Sequence, residues 1–257
     1  MYAKPTSPQS IGQVLDGSFR LTAASFKKTW IYALLAAIAS YAATIYLFTR
    51  GAGTLEQAMQ PQTDPVYWTL YCVGLIGSVF FMAAMYLRTD QIARGDSGGP
   101  SAIGAALGRL PLLVVLTILT IIAIMVGMVL LIVPGIILAV SLMAAVPIFM
   151  LEDKGPIDSL TTSHRLVWGH WWRTLLILIV GGIIAAVLAF VMSFIAAAVA
   201  PFIAGDSTEL EIALAAVIGI ALMGVVLAPF LVSLVLNIYW DLKLRREGGD
   251  LAARVQA

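Results

Sequence analysis

The chain has 257 residues, 61% of them hydrophobic and only 11% charged, with a net charge of +1. A soluble domain carries roughly 25% charged residues, so this composition and a mean hydropathy of +0.97 exclude an ordinary water-soluble fold and make lipid the expected solvent. A single cysteine, Cys72, excludes a disulfide or cysteine-rich metal framework, and no nucleic-acid partner is expected.

Residues 1–10 read as a loose tail. The first apolar run starts only near Trp30 and no small-residue cleavage pattern follows it, so no cleavable signal is expected. Between them Ile11, Leu15, Phe19 and Phe26 recur near helical spacing among Asp16, Arg20, Lys27 and Lys28. This predicts an interfacial amphipathic helix over 11–27. Membrane spans follow at 30–49 and 66–87, joined by a polar link containing Arg50 and Glu56. Gly95, Gly98, Gly99 and Pro100 mark the next break.

From Leu110 to Leu151 there is no Asp, Glu, Lys, Arg or His, with Val133-Pro134-Gly135-Ile136 at the centre. About 20 helical residues cross a bilayer, so the run is long enough for two spans, 110–133 and 135–151, turning at Pro134 and Gly135. Pro156 opens a second interfacial helix over 156–172. Spans at 174–199 and 212–240 complete the count, the last with Pro229 as an expected kink. The fold class is therefore an all-α integral membrane protein, with six transmembrane helices as three hairpins entered through cytoplasmic interfacial helices.

Six spans place all but one of the 15 Lys and Arg residues on the side of the termini, Arg50 being the exception. The positive-inside bias then makes both termini cytoplasmic. Leu15-Asp16-Gly17-Ser18-Phe19-Arg20-Leu21 also echoes Leu160-Thr161-Thr162-Ser163-His164-Arg165-Leu166, and the same offset pairs Phe26 with Trp171 and Thr29 with Thr174. The two stretches read as parallel repeats.

The predicted spans hold no ionisable side chain in their bodies, which argues against proton-coupled carriers, pumps and intramembrane proteases. His164 and His170 lie six apart and make no i, i+4 chelating pair, so no metal and no cofactor are expected. Thr117, Ser141, Ser233 and Asn237 are the polar residues that could line a path beside helices broken at Pro147 and Pro229. Ser141 and Ser233 could also satisfy the carbonyls those prolines free. Five of the six tryptophans (Trp30, Trp168, Trp171, Trp172, Trp240) fall at expected cytoplasmic boundaries, as an aromatic belt does. Arg20, Lys27, Lys28, Arg165, Arg173, Arg245 and Arg246 would form a basic collar at headgroup depth, each attracting anionic lipid by about 1 kcal/mol.

Four stretches carry a resemblance. They are Ile11-Gly12-x-Val14-Leu15-x-x-Ser18-Phe19-Arg20-Leu21, the Val133–Ile136 turn, Leu160-x-x-Ser163-x-Arg165-Leu166-Val167-x-Gly169-His170-Trp171-Trp172-Arg173, and Tyr239-Trp240-Asp241-Leu242-x-x-Arg245-Arg246-Glu247-Gly248. Together they resemble the YciC-like (UPF0259-type) bacterial inner-membrane proteins, related to the membrane domain fused to some glycerophosphoryl diester phosphodiesterases. The resemblance implies a six-span inner-membrane protein and no phosphodiesterase activity here. The expected role is non-catalytic, organising anionic phospholipid or a membrane partner, a second copy included, through the collar. The alternative is a small carrier or channel for a neutral or weakly polar solute.

Overall fold

A computed structural model describes residues 2–49, 63–95, 101–205 and 208–256, with side chains at 48–49, 208–214, 216 and 247–256 left out. The link with Arg50 and Glu56, the Gly98–Pro100 stretch and Asp206 lie outside the described residues, as do the side chains of Glu209, Glu211 and Arg254. Every described element is an α-helix: α1 Ile11–Thr49, α2 Pro65–Ala93, α3 Ala102–Gly108, α4 Leu110–Leu130, α5 Ile132–Ser141, α6 Ala145–Leu151, α7 Pro156–Val167, α8 Trp171–Ala204 and α9 Thr208–Gln256.

The helix starts follow from local chemistry. Ser10 and Gln13 form a reciprocal capping box before α1, the Gln13 N–H donating to Ser10 Oγ (3.2 Å) and the Ser10 N–H to Gln13 Oε1 (2.8 Å). Asp64 accepts from the Val66 N–H (2.9 Å), and Pro65, lacking an N–H, opens α2. Tyr46 donates to the same Asp64 (2.6 Å), tying the far end of α1 to the start of α2.

The centre of the bundle is the middle of α9, from Phe230 to Leu242. Phe230, Val232, Leu234, Leu236, Ile238, Trp240 and Leu242 are all buried, together with Ser233, Asn237 and Asp241. A helix buried all round must be enclosed by other helices, and α1 and α8 pack along it. Leu21, Met85, Ile148 and Ile177 bring α1, α2, α6 and α8 into its core. Ala83, Leu113, Leu116 and Phe149 form a second cluster joining α2, α4 and α6.

Three expectations are corrected. The 11–27 segment is no separate interfacial helix. It runs on into the span as one helix and packs antiparallel along α9, Gly17 against Asn237 and Phe19 against Phe230 (ring centroids 5.0 Å). Nothing between Gly17 and Thr49 is a Gly or Pro that could break it. At the equivalent place in the second copy, Gly169 adopts φ +97° and α7 does separate from α8.

The turn after α4 falls at Leu131, which is extended (φ −165°, ψ 146°), and not at Pro134-Gly135. A proline ring clashes with the carbonyl four residues earlier, so Pro134 breaks the chain near Leu130 and itself sits in the first turn of α5, where a missing N–H costs nothing. Pro147 acts likewise: the helix interrupts over residues 142–144 and resumes as α6. Gly135 serves close approach, since a Cβ there would lie 2.5 Å from Met128 Cγ and 2.8 Å from Met128 N.

Finally, residues 2–10 are no loose tail. Tyr2 donates to Asn237 Oδ1 (2.5 Å), Lys4 lies over the Trp240 ring (5.1 Å), and the Gln9 N–H donates to Asp241 Oδ1 (2.7 Å). Burial beside Asn237 pushes the Tyr2 phenol up to about 12.

Small residues set the helix spacing. A Cβ on Gly74 would fall on the Ala39 carbonyl oxygen, a backbone atom that has no rotamer to move to. Gly182, by contrast, has nothing within 4 Å. Gly74→Ala is therefore expected to destabilise by about 1–3 kcal/mol through overpacking. Gly182→Ala should melt like the parent when both are compared by thermal unfolding in detergent.

Candidate functional site

Charge near the ends of α2, α6, α8 and α9 is sorted by buried or half-buried carboxylates. Asp241, fully buried, receives Arg173 Nη1 (2.5 Å) and Arg245 Nε (3.0 Å) on Oδ2 and the Gln9 N–H on Oδ1. The same two guanidinium groups donate to the Gln9 carbonyl, each at 2.6 Å. The N-terminal segment, α8 and α9 therefore meet at one carboxylate. Asp90, buried at the end of α2, takes Arg94 Nε (2.7 Å).

Glu152 closes a second cluster. Its Oε1 accepts from Tyr239 Oη (2.6 Å) and Lys243 Nζ (2.9 Å), and its Oε2 from Lys154 Nζ (2.8 Å). Desolvation raises the carboxyl, but the bonds from Lys154, Tyr239 and Lys243 outweigh it and hold the group at about 2. Arg109 donates to the Phe149 carbonyl (2.7 Å) and pairs with Asp153.

The seven cations expected to form one collar are not brought together. Arg173 and Arg245 face inward to Asp241. Arg20 pairs with Asp16 on the surface (2.9 Å). Lys27 and Trp30 border a hollow with Phe26 and Val225. Val225 and Arg246 are separated along α9 by about 30 Å at 1.5 Å per residue, so Lys27 and Lys28 stand well apart from the cluster at the end of α9. Arg165 and Arg246 share a crevice with Lys154, Lys243, Glu152 and Thr162. Among the described residues no carboxylate pairs with Lys27, Lys28, Arg165 or Arg246.

The aromatic belt also divides. Trp168 and Trp172 are 62% and 78% exposed, and Trp30 is exposed as well. Trp240, however, is core, because α9 is enclosed by the bundle from Val232 to Leu242. Trp171 turns inward and donates to the Ile137 carbonyl (3.3 Å).

The candidate polar lining is held locally. Thr117 Oγ1 donates to the Leu113 carbonyl (2.9 Å), and Asn237 Nδ2 donates to the Ser233 carbonyl (2.8 Å). Ser141 accepts Ser163 Oγ on its carbonyl (2.8 Å), while the Ser141 and Ser233 hydroxyls make no bond. Neither hydroxyl therefore serves the carbonyls freed by Pro147 and Pro229. The cavity between α1 and α9, about 220 Å³, is lined by residues such as Ala33, Ala37, Met82, Met223 and Leu227 and reaches none of the four. Sequence reasoning missed Asp90, Glu152 and Asp241. Two helices run past the expected span ends at 87 and 240 and so carry Asp90 and Asp241 into the bundle, while Glu152 caps the end of α6 at 151. No group of three or more His, Cys, Asp or Glu placed to hold a metal occurs among the described residues.

A bundle with six helical stretches long and apolar enough to cross a bilayer, α5 and α6 together making one of them (Ile132–Leu151), is a multi-pass membrane protein. A family model described as "Uncharacterised protein family (UPF0259)" matches residues 53–218, and the chain belongs to that family. It is 26% identical over 125 residues to a UPF0259 membrane protein of Pectobacterium carotovorum subsp. carotovorum (strain PC1), covering 47% of this chain and 50% of the relative. It is 31% identical over 98 residues to a UPF0259 membrane protein of Sodalis glossinidius (strain morsitans), covering 38% of this chain and 39% of the relative. The matched region thus spans half or less of these relatives' length. No solved structure matches the chain.

Two predictions follow from the carboxylates. Asp241→Asn leaves two guanidinium groups without their counter-ion, a change expected to cost about 3–5 kcal/mol. It should also expose residues 2–10 to protease, read by limited proteolysis beside a thermal melt. Glu152 has a folded pKa of about 2 against an ordinary 4.5. Its contribution is therefore full above about 4.5 and lost as pH falls through about 2. The difference in melting temperature between parent and Glu152→Gln should be constant from about pH 7 to 5 and shrink below about pH 4.5.

Proposed function

We propose that this protein is a non-catalytic inner-membrane protein, both termini cytoplasmic, that holds anionic phospholipid or a membrane partner through basic residues set beside exposed tryptophans. The observation that carries the reading is the residue left over after pairing. Lys27, Lys28, Arg165 and Arg246 have no carboxylate among the described residues. Trp30 borders the same hollow as Lys27. The exposed Trp168 follows Arg165 by about one helical turn. Cations on apolar stems next to indole rings suit a surface that is apolar below and anionic above. The pairing also narrows the set. Arg173 and Arg245 serve the fold, and Arg20 is already matched by Asp16.

Orientation has its own test. In a Cys72→Ala background, a cysteine at Glu209 should react with a membrane-impermeant maleimide in intact cells, and one at the exposed Thr161 should react only after permeabilisation. The reverse pattern would sink the cytoplasmic placement of the termini. Lipid dependence is tested by copurification. Replacing Lys27, Lys28, Arg165 and Arg246 together by Gln should lower retained phosphatidylglycerol by an order of magnitude or more, at about 1 kcal/mol per cation, while phosphatidylcholine retention stays unchanged.

A further inference from the structure

We infer that the crevice between α7 and the end of α9 is a phosphate-binding seat. This inference rests on the proposed role of the basic residues in holding anions, and it assigns that role to one place. The crevice encloses about 320 Å³, and its walls come from the chain after α6, from α7 and from α9. Lys154, Arg165, Lys243 and Arg246 converge on it, and Glu152 is the one carboxylate among the described side chains that line it.

The arrangement is built rather than incidental. Glu152 grips Lys154 and Lys243 from its two oxygens, at 2.8 and 2.9 Å, and Tyr239 holds that carboxylate from the core side at 2.6 Å. Lys154 is fixed again by Thr162 Oγ1 at 3.1 Å. Both ammonium groups are therefore positioned by one anion that stays ionised at any ordinary pH. Arg165 and Arg246 then add two guanidinium groups with no carboxylate partner among the described residues. The four cations repel one another around the one described carboxylate, and an entering anion offsets that repulsion. A phosphate offers oxygens in several directions to donors arriving from three elements, and the guanidinium fork matches a pair of them. A carboxylate offers only two, in one plane.

The chemistry fits the phosphodiester of an anionic lipid and equally a soluble phosphomonoester, and the experiment separates these sources. The full chain is placed in phosphatidylcholine nanodiscs and titrated calorimetrically with glycerol 3-phosphate. In parallel, phosphatidylglycerol retained from mixed discs is counted by native mass spectrometry. Arg165→Gln/Arg246→Gln is compared with Arg20→Gln, all three side chains being exposed and Arg20 already paired with Asp16. The crevice pair should weaken anion binding about tenfold or more and Arg20→Gln should not. Loss confined to phosphatidylglycerol assigns a lipid headgroup to the seat, and loss of glycerol 3-phosphate binding assigns a soluble phosphate. Should the double variant fold poorly, Arg246→Gln alone is expected to show about a fivefold loss. Parent-level binding of both anions by the crevice variant overturns the seat, as does a parent that binds neither. Equal phosphatidylglycerol loss in both variants overturns the seat while leaving the wider basic surface in place. Undiminished retention in both, and in the variant with Lys27, Lys28, Arg165 and Arg246 all replaced by Gln, removes that surface too.

Discussion

Asp241 is the group around which the termini and the long helices are fixed. A carboxylate with no access to water is tolerable only if its charge and lone pairs are met inside the protein. Here Arg173 comes from the start of α8, Arg245 from one turn further along α9, and the Gln9 N–H from the segment before α1. The two guanidinium groups carry one more positive charge than Asp241 can balance, and the Gln9 carbonyl takes a hydrogen bond from each. The N-terminal segment is thus part of the charge balance. Its docking in turn supplies Tyr2 to Asn237 and Lys4 to the face of Trp240. Removing the carboxylate would leave the segment held by the packing of Tyr2 beside Trp240 and by its bond to Asn237.

That constraint accounts for how far the helices run. Crossing a hydrocarbon core takes about 30 Å, yet α1 with 39 residues and α9 with 49 are far longer. Part of that length packs the two helices on each other, with Gly17 on Asn237 and Phe19 on Phe230 towards the end that Asp241 closes. The apolar stretches were legible in the sequence, and six of them stand as helices of spanning length. Their ends were not, because hydropathy marks where lipid is tolerated and says nothing of where a helix continues against protein. The positions of the breaks were half legible. Pro134 and Pro147 announce an interruption, but the ring acts on the carbonyl one turn earlier, so the bend precedes the proline.

The basic residues show the same division. Their number and sidedness could be read from the chain; their partners could not. Arg173 to Asp241, Tyr239 to Glu152 and Lys243 to Glu152 are pairings 68, 87 and 91 residues apart, and no local spacing encodes them. The acids themselves were visible as Asp90, Glu152 and Asp241 at the expected ends of spans, and each followed an apolar run directly or by one turn. An acidic residue just past a span, on a face continuous with the apolar one, is the signal that could have marked them.

Arg20 and Arg165 show what pairing does to two residues that the internal echo makes equivalent. Ser18 and Ser163, Leu21 and Leu166, and Thr29 and Thr174 are buried in both copies, while both arginines are exposed, so the two segments present the same faces. Yet Arg20 has Asp16 one turn before it, and at the matching place Arg165 has Thr161. A single change from carboxylate to hydroxyl leaves one guanidinium matched and the other without a carboxylate among the described residues. It is the second that stands where Lys154, Lys243 and Arg246 already gather. The repeat supplies the scaffold twice, and the distribution of carboxylates decides which copy keeps positive charge in reserve.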